Sequence, residues 1–148
     1  MPIPAEFETF ARRFSEVVPY SNACEMKITA AGRGHVEMEL PYRDEWLGDL
    51  ERGVIHTGVI TSLVDSASGA AVLASFPQYE PVATIDLRMD YLRPALKGYT
   101  VICRAECYRL TRSIAFTRAT VWQTDPERPV ALSQGVFMRS SRTPAART

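Results

Sequence analysis

Between Arg52 and Glu80 the only formally charged residue is Asp65, set in the run Gly-Val-Ile-His-Thr-Gly-Val-Ile-Thr-Ser-Leu-Val-Asp-Ser-Ala-Ser-Gly-Ala-Ala-Val-Leu-Ala-Ser-Phe. An ionised carboxylate among apolar side chains is costly unless paired, so Asp65 needs either a partner or a task. Ser62, Ser68 and Arg88 are the partner candidates. The task would be that of a general base or a nucleophile. The same run opens with His56-Thr57-Gly58. A helix start presents unpaired N–H groups and a partial positive charge, and a glycine there admits a ligand carbonyl, so the Gly58 N–H fits an oxyanion donor. Taken singly, Gly58 would read as close helix packing and His56 as a polar residue bonding the backbone at a helix start. Beside a lone Asp the pair gains weight.

Spacing adds a constraint. Gly58 and Asp65 are seven residues apart, about 10 Å along a helix axis. The Asp side chain leans back toward the N-terminus, which closes only a few ångströms of that gap. If both groups act on one carbonyl, the simpler arrangement is a two-fold dimer in which Gly58 of one subunit faces Asp65 of the other, giving two composite sites.

Other chemistries lack their residues. No Gly-x-Ser-x-Gly elbow, phosphate-binding glycine loop or dinucleotide fingerprint occurs in the sequence. Three cysteines, Cys24, Cys103 and Cys107, and two histidines, His35 and His56, are too few and too scattered for a metal cage. Reduced thiols and no metal site are expected. With 17 basic against 17 acidic residues the chain has no net field to gather a nucleic acid. The acidic N-terminal residues Glu6 and Glu8, with no apolar stretch behind them, do not resemble a secretory signal, and a cytoplasmic location follows as an expectation.

The 148 residues, 46% hydrophobic and 23% charged, suit one soluble domain spanning 1–148. Phe7, Phe10, Ala11, Phe14 and Val17 recur at helical spacing and predict an N-terminal helix within 1–18 that ends near Pro19. Cys24 to Ala30 and His35 to Leu40 read as a hairpin about Ala31-Gly32-Arg33-Gly34, and Tyr42 to Arg52 as a loop. The apolar run predicts a long core helix buried nearly all round, with a Gly69 whose cost packing must offset. Strict alternation from Val82 to Leu92 predicts a half-buried strand with Ala83, Ile85, Leu87, Met89 and Tyr91 inward and Thr84, Asp86, Arg88 and Asp90 outward. Tyr99 to Leu110, Ala115 to Thr124 and Val130 to Arg139 complete a four-strand meander, and 140–148 is expected to be a loose tail. One curved antiparallel sheet around a central helix, an α+β arrangement, fits this order.

Gly53-Val54-Ile55-His56-Thr57-Gly58, Leu63-Val64-Asp65-Ser66-Ala67, Ala83-Thr84-Ile85-Asp86-Leu87 and Tyr91-Leu92-Arg93-Pro94-Ala95 with Gly98 resemble, in order and spacing, the hotdog-fold acyl-CoA thioesterases of the phenylacetate-pathway (PaaI-like) type. The resemblance spans Val18 to Arg139. It implies a hotdog fold, a homodimer whose sheets join into one, often paired again as a homotetramer, and sites at the subunit seam. It implies further that Asp65 is the general base or nucleophile, that Gly58 polarises the thioester carbonyl, that His56 shapes the helix start and that the Thr84 hydroxyl helps hold water. Coenzyme A enters as part of the substrate, with no other cofactor. Two departures stand out. Thr57 stands in place of the first glycine of a usual His-Gly-Gly, the second being retained as Gly58, and Leu50 stands where several branches carry Asn or Gln, with only Asp49 and Glu51 as polar substitutes. Arg93, Arg109 and Arg112 are the candidates for the coenzyme A phosphates, since guanidinium forks suit phosphate oxygens.

Hydrolysis of an acyl-CoA thioester is therefore the leading expectation. Hydratase or dehydratase chemistry on the same fold is an alternative, but His56 at a helix start does not resemble the catalytic His of those relatives. A module that senses acyl-CoA without turnover is another, and its expected mark, loss of the acid, is absent because Asp65 is present.

Overall fold

Pro4 caps the first helix, α1 (Ala5–Val17), and Glu6 and Glu8 in its first turn complement the helix dipole. Its apolar stripe of Phe7, Phe10, Ala11 and Phe14 packs into the core. The helix ends before Pro19 as expected, yet Pro19 then opens a second short helix, α2 (Pro19–Ala23), because proline's fixed φ suits a first helical turn. The computed structural model describes residues 3–140. The rest of the expected tail, from 141, lies outside the described residues.

Strands β1 (Lys27–Gly32) and β2 (His35–Leu40) form the expected hairpin, with Gly34 at φ +75° in its turn. The first strand starts three residues later than the sequence suggested, since α2 takes up the chain as far as Ala23. The segment read as a loop carries local order of its own. A 3-10 turn (Asp44–Trp46) leads into β3 (Leu47–Asp49), which pairs antiparallel with β4 (Val54–Ile55).

The apolar run becomes α3 (Thr57–Leu73), shorter than the run itself, and the chain turns at Ala74 before Pro77. Ile60, Leu63, Val64, Ala67, Ala70 and Ala71 are buried against the sheet. The opposite stripe of Gly58, Thr61, Ser62, Asp65, Ser66 and Gly69 is only half-buried or exposed. Within one chain, then, α3 is not covered all round. Its uncovered side is the one that carries the Asp and the small polar residues.

Four long strands follow: β5 (Val82–Tyr91), β6 (Val101–Leu110), β7 (Ile114–Trp122) and β8 (Ala131–Arg139). They do not form a simple meander. The sheet order is β1-β2-β6-β7-β8-β5, so β6, β7 and β8 are hairpin neighbours while β5 sits beyond β8 at one edge. Reaching that position requires crossing about 14 Å of strand ends, which a two-residue turn could not do and the segment 92–100 can. Cys24, Cys103 and Cys107 are unpaired. Cys103 is fully buried in the sheet, and burial, with a smaller push from the Glu37 carboxylate, raises its thiol well above the ordinary range. Among the described residues no helix is long and apolar enough to cross a membrane.

Candidate active site

His56 is the N-cap of α3, and its Nδ1 accepts the Gly58 N–H at 2.8 Å. A backbone N–H can only donate, so Nδ1 is the acceptor in this bond. The imidazole rests in a slot between two glycines. A Cβ at position 58 would lie 2.8 Å from Nδ1 and 3.1 Å from Cε1, and one at position 48 would lie 3.1 Å from Cα, Cβ and Cδ2 of the same residue. Gly48 is thus a second requirement of the helix start, one the sequence reading passed over.

The first turn of α3 is tied to the end of β5. The Tyr91 hydroxyl donates to the Thr57 carbonyl at 3.0 Å and lies 2.5 Å from the Thr61 hydroxyl. On the other side of the stripe α2 reaches across, with Tyr20 Oη 3.3 Å from Ser62 Oγ and Ser21 Oγ 3.2 Å from Ser66 Oγ. The half-buried or exposed stripe of Gly58, Asp65 and Gly69 therefore lies along α3 between its contacts to β5 and to α2.

Asp65 sits two turns further along, where Thr84 Oγ1 donates to its Oδ1 at 2.7 Å. None of the expected partners does so. Ser62 donates to the Gly58 carbonyl, Ser68 faces inward with its hydroxyl unpaired, and Arg88 pairs with Asp90. Thr84 itself points opposite to its strand-parity assignment. A β-bulge between Thr84 and Asp86 inserts Ile85 as an extra residue, so Thr84 shares the inner face with Leu87, Met89 and Tyr91, while Ala83 and Ile85 turn out to solvent. Bulges re-aim side chains in this way, and here the re-aimed hydroxyl is the one that meets the lone carboxylate. Removing it with the isosteric Thr84→Val is expected to lower turnover about tenfold, the value of a hydrogen bond to a charged group, with Thr84→Ser restoring it.

The structure separates the remaining candidates. Asp49 caps its own turn, accepting the Arg52 N–H at 2.9 Å, and Leu50 and Glu51 are exposed on that turn. Arg93 lies at the start of β8, where its Nε donates to the Pro129 carbonyl. Arg109 and Arg112 lie at the far end of β8, since Ser113 accepts the Arg139 N–H. That is about 26 Å along the strand, so one chain does not gather the three arginines.

A positioning residue without any local sequence signal is Gln123. Its amide accepts from Leu96 N and donates to the carbonyls of Leu96 and Tyr99, which fixes the loop after β5. That loop in turn holds β4 through Ile55 N–H to the Ala95 carbonyl and Lys97 N–H to the Gly53 carbonyl, and β4 delivers His56. Among the described residues no group of His, Cys, Asp and Glu could hold a metal ion.

Residues 52–130 match the Thioesterase superfamily. A point mutant of the phenylacetic acid degradation protein PaaI of Thermus thermophilus superposes with a TM-score of 0.73 at 30% identity, covering 83% of this chain and all of that one. Human acyl-coenzyme A thioesterase 13 is 27% identical over 109 residues, which is 74% of this chain and 72% of the human protein. A putative esterase of Halobacterium salinarum is 34% identical over 73 residues, 47% of this chain, and the match spans only about half, 48%, of that relative. The sheet wrapped on a central helix is the architecture that the sequence resemblance implied.

Proposed function

Because the chain belongs to the Thioesterase superfamily, we propose that it hydrolyses an acyl-CoA thioester to the free carboxylic acid and coenzyme A, at sites shared between two subunits. One observation carries this reading. Gly58, beside Tyr91, and Asp65, bonded to Thr84, lie at opposite ends of one open stripe, and that stripe follows a sheet edge with no neighbouring strand among the described residues.

Along β5 the two ends are seven positions apart, Thr84 beside Asp65 and Tyr91 beside the helix start. Two copies that pair antiparallel through their free β5 edges, about a two-fold near Leu87, would set Thr84 opposite the partner's Tyr91. Asp65 of one subunit would then approach the Gly58 N–H of the other, closing a gap that one helix leaves open. Exposed apolar side chains near this edge, Ile85 at 54% and Leu92 at 51%, are suited to such burial. The same pairing would bring the partner's Arg93 to the end of the sheet that carries Arg109 and Arg112, so the three could serve one coenzyme A only across the seam.

In this arrangement the Gly58 N–H takes the developing oxyanion, and Asp65 either removes a proton from water as it attacks or attacks the carbonyl itself. The C–S bond breaks as the tetrahedral carbon collapses and the departing thiolate takes up a proton; on the direct-attack route water then cleaves the acyl–Asp65 anhydride, releasing the acid and restoring the carboxylate. Thr84 keeps the carboxylate aimed, and His56 shapes the start of the helix. A cytoplasmic location, where thiols stay reduced, belongs to the same reading. The test is release of free thiol from a panel that includes benzoyl-CoA and hexanoyl-CoA. Turnover of any member supports the proposal, and none across the panel, with acyl-CoA still bound, would move the assignment to a sensing module.

A further inference from the structure

Glu25 is the only described residue other than glycine with a left-handed backbone, at φ +57°. It stands where α2 ends. Its N–H donates to the Asn22 carbonyl at 2.9 Å and the Met26 N–H to the Ser21 carbonyl at 2.9 Å, a paired pattern that puts Glu25 at the one position of a helix stop that favours glycine. A glutamate there is strained, so its side chain needs a task. The carboxylate meets the Arg43 guanidinium at 2.8 Å, and that contact holds the carboxyl below the usual carboxylate range.

Arg43 leads to the head of the open stripe on α3. Its guanidinium stacks over the Trp46 ring, 5.2 Å from the centroid, its carbonyl accepts the Trp46 N–H, and the Trp46 carbonyl accepts the His56 N–H at 2.7 Å. The short helix α2 leads to the side of the same stripe, through Tyr20 with Ser62 and Ser21 with Ser66. Those contacts, at 3.3 and 3.2 Å, are long for hydroxyl pairs and fix α2 only loosely. Among the described residues no other side-chain hydrogen bond or ion pair joins 18–26 to 41–56. Building on the functional reading above, we propose that Glu25 and Arg43 are a positioning pair for thioester hydrolysis, which holds α2 at the side of the stripe and His56 at its head in one relative placement. An acyl group lying between the helix start and the level of Asp65 then meets borders that are already ordered, and its binding energy is not spent on ordering them.

Stability and turnover are expected to move apart, which a merely structural pair would not allow. Glu25→Gly removes the pair and relieves the left-handed backbone, so its denaturation midpoint is expected at or above wild type. Its kcat/KM for thiol release from benzoyl-CoA and hexanoyl-CoA is expected to fall about fivefold, the upper reach of an exposed ion pair. Arg43→Met keeps a stem over Trp46 without the charge and leaves the strain at Glu25 uncompensated, so the same fivefold loss is expected with a lowered midpoint. Glu25→Gln keeps an acceptor at the same reach and is expected to hold at least about half of wild-type kcat/KM. Unchanged kcat/KM in Glu25→Gly, a loss in both variants that tracks their midpoints, or a Gln variant no better than Gly overturns the positioning role while leaving thioester hydrolysis intact. A wild-type protein that releases no thiol from the whole panel overturns the functional reading, and the pair's part in turnover with it.

Discussion

Asp65→Asn is expected to lose at least about a hundredfold in kcat on whichever acyl-CoA the wild type hydrolyses best, with stability close to wild type. Asparagine matches the carboxylate in shape, and its amide oxygen can still accept from Thr84 Oγ1, so the bond at 2.7 Å that anchors the side chain survives. What disappears is the negative charge. Without it the residue can neither take a proton from water nor attack a carbonyl, and both routes fail together. The contrast with Thr84→Val sharpens the prediction. Valine removes the anchor and keeps the base, an effect of about tenfold, so the two variants separate aiming from chemistry. Thiol release under saturating substrate gives the readout, with chemical denaturation to compare stability. A variant that kept more than about a tenth of wild-type turnover would remove Asp65 from the reaction and return it to the role of a half-buried structural acid.

How much of this was legible in the chain depends on what each residue signals by itself. Asp65 announced its place because a lone charge in an apolar run is costly, and Gly58 and His56 because a glycine two positions past a histidine stands near the start of that run. The hairpin at Gly34 and the extent of β2 followed from glycine and alternation. Thr84 was misdirected because alternation assumes an unbroken period of two, and the bulge at Ile85 leaves no mark that a string of residues can show. Strand order escaped for a different reason. The pairing of β5 with β8 is decided by where the segment 92–100 carries the chain, and that path rests on a Gln123 amide that looks like any polar residue at a strand end. The apolarity of α3 overstated its burial within one chain. A helix sequence reports the environment it finally occupies, so a stripe of small residues left open in one copy is in keeping with cover supplied by another.

Mixing two inactive variants offers the strongest test of that shared site. Asp65→Asn lacks the base, and Gly58→Pro lacks the donor itself, since proline has no N–H; its ring also pushes the His56 imidazole out of its slot, while the first turn of a helix accepts proline because the N–H there has no backbone partner. Each variant alone is expected to be at background. Refolded together in equal amounts, they are expected to recover about a quarter of wild-type activity. The arithmetic follows from the two-fold. Random pairing makes half of the dimers mixed, and in each mixed dimer one site joins the intact Gly58 of the Asp65→Asn chain to the intact Asp65 of the Gly58→Pro chain. The other site in the same dimer has neither group. One site in four is therefore whole, and its recovery shows at once that both variants fold and that they pair. Groups confined to a single chain cannot complement in this way, whatever the oligomer. Activity that stayed at the level of the separate variants would place donor and base on one subunit, against the seven-residue separation along α3, and would leave the free edge of β5 for a different contact.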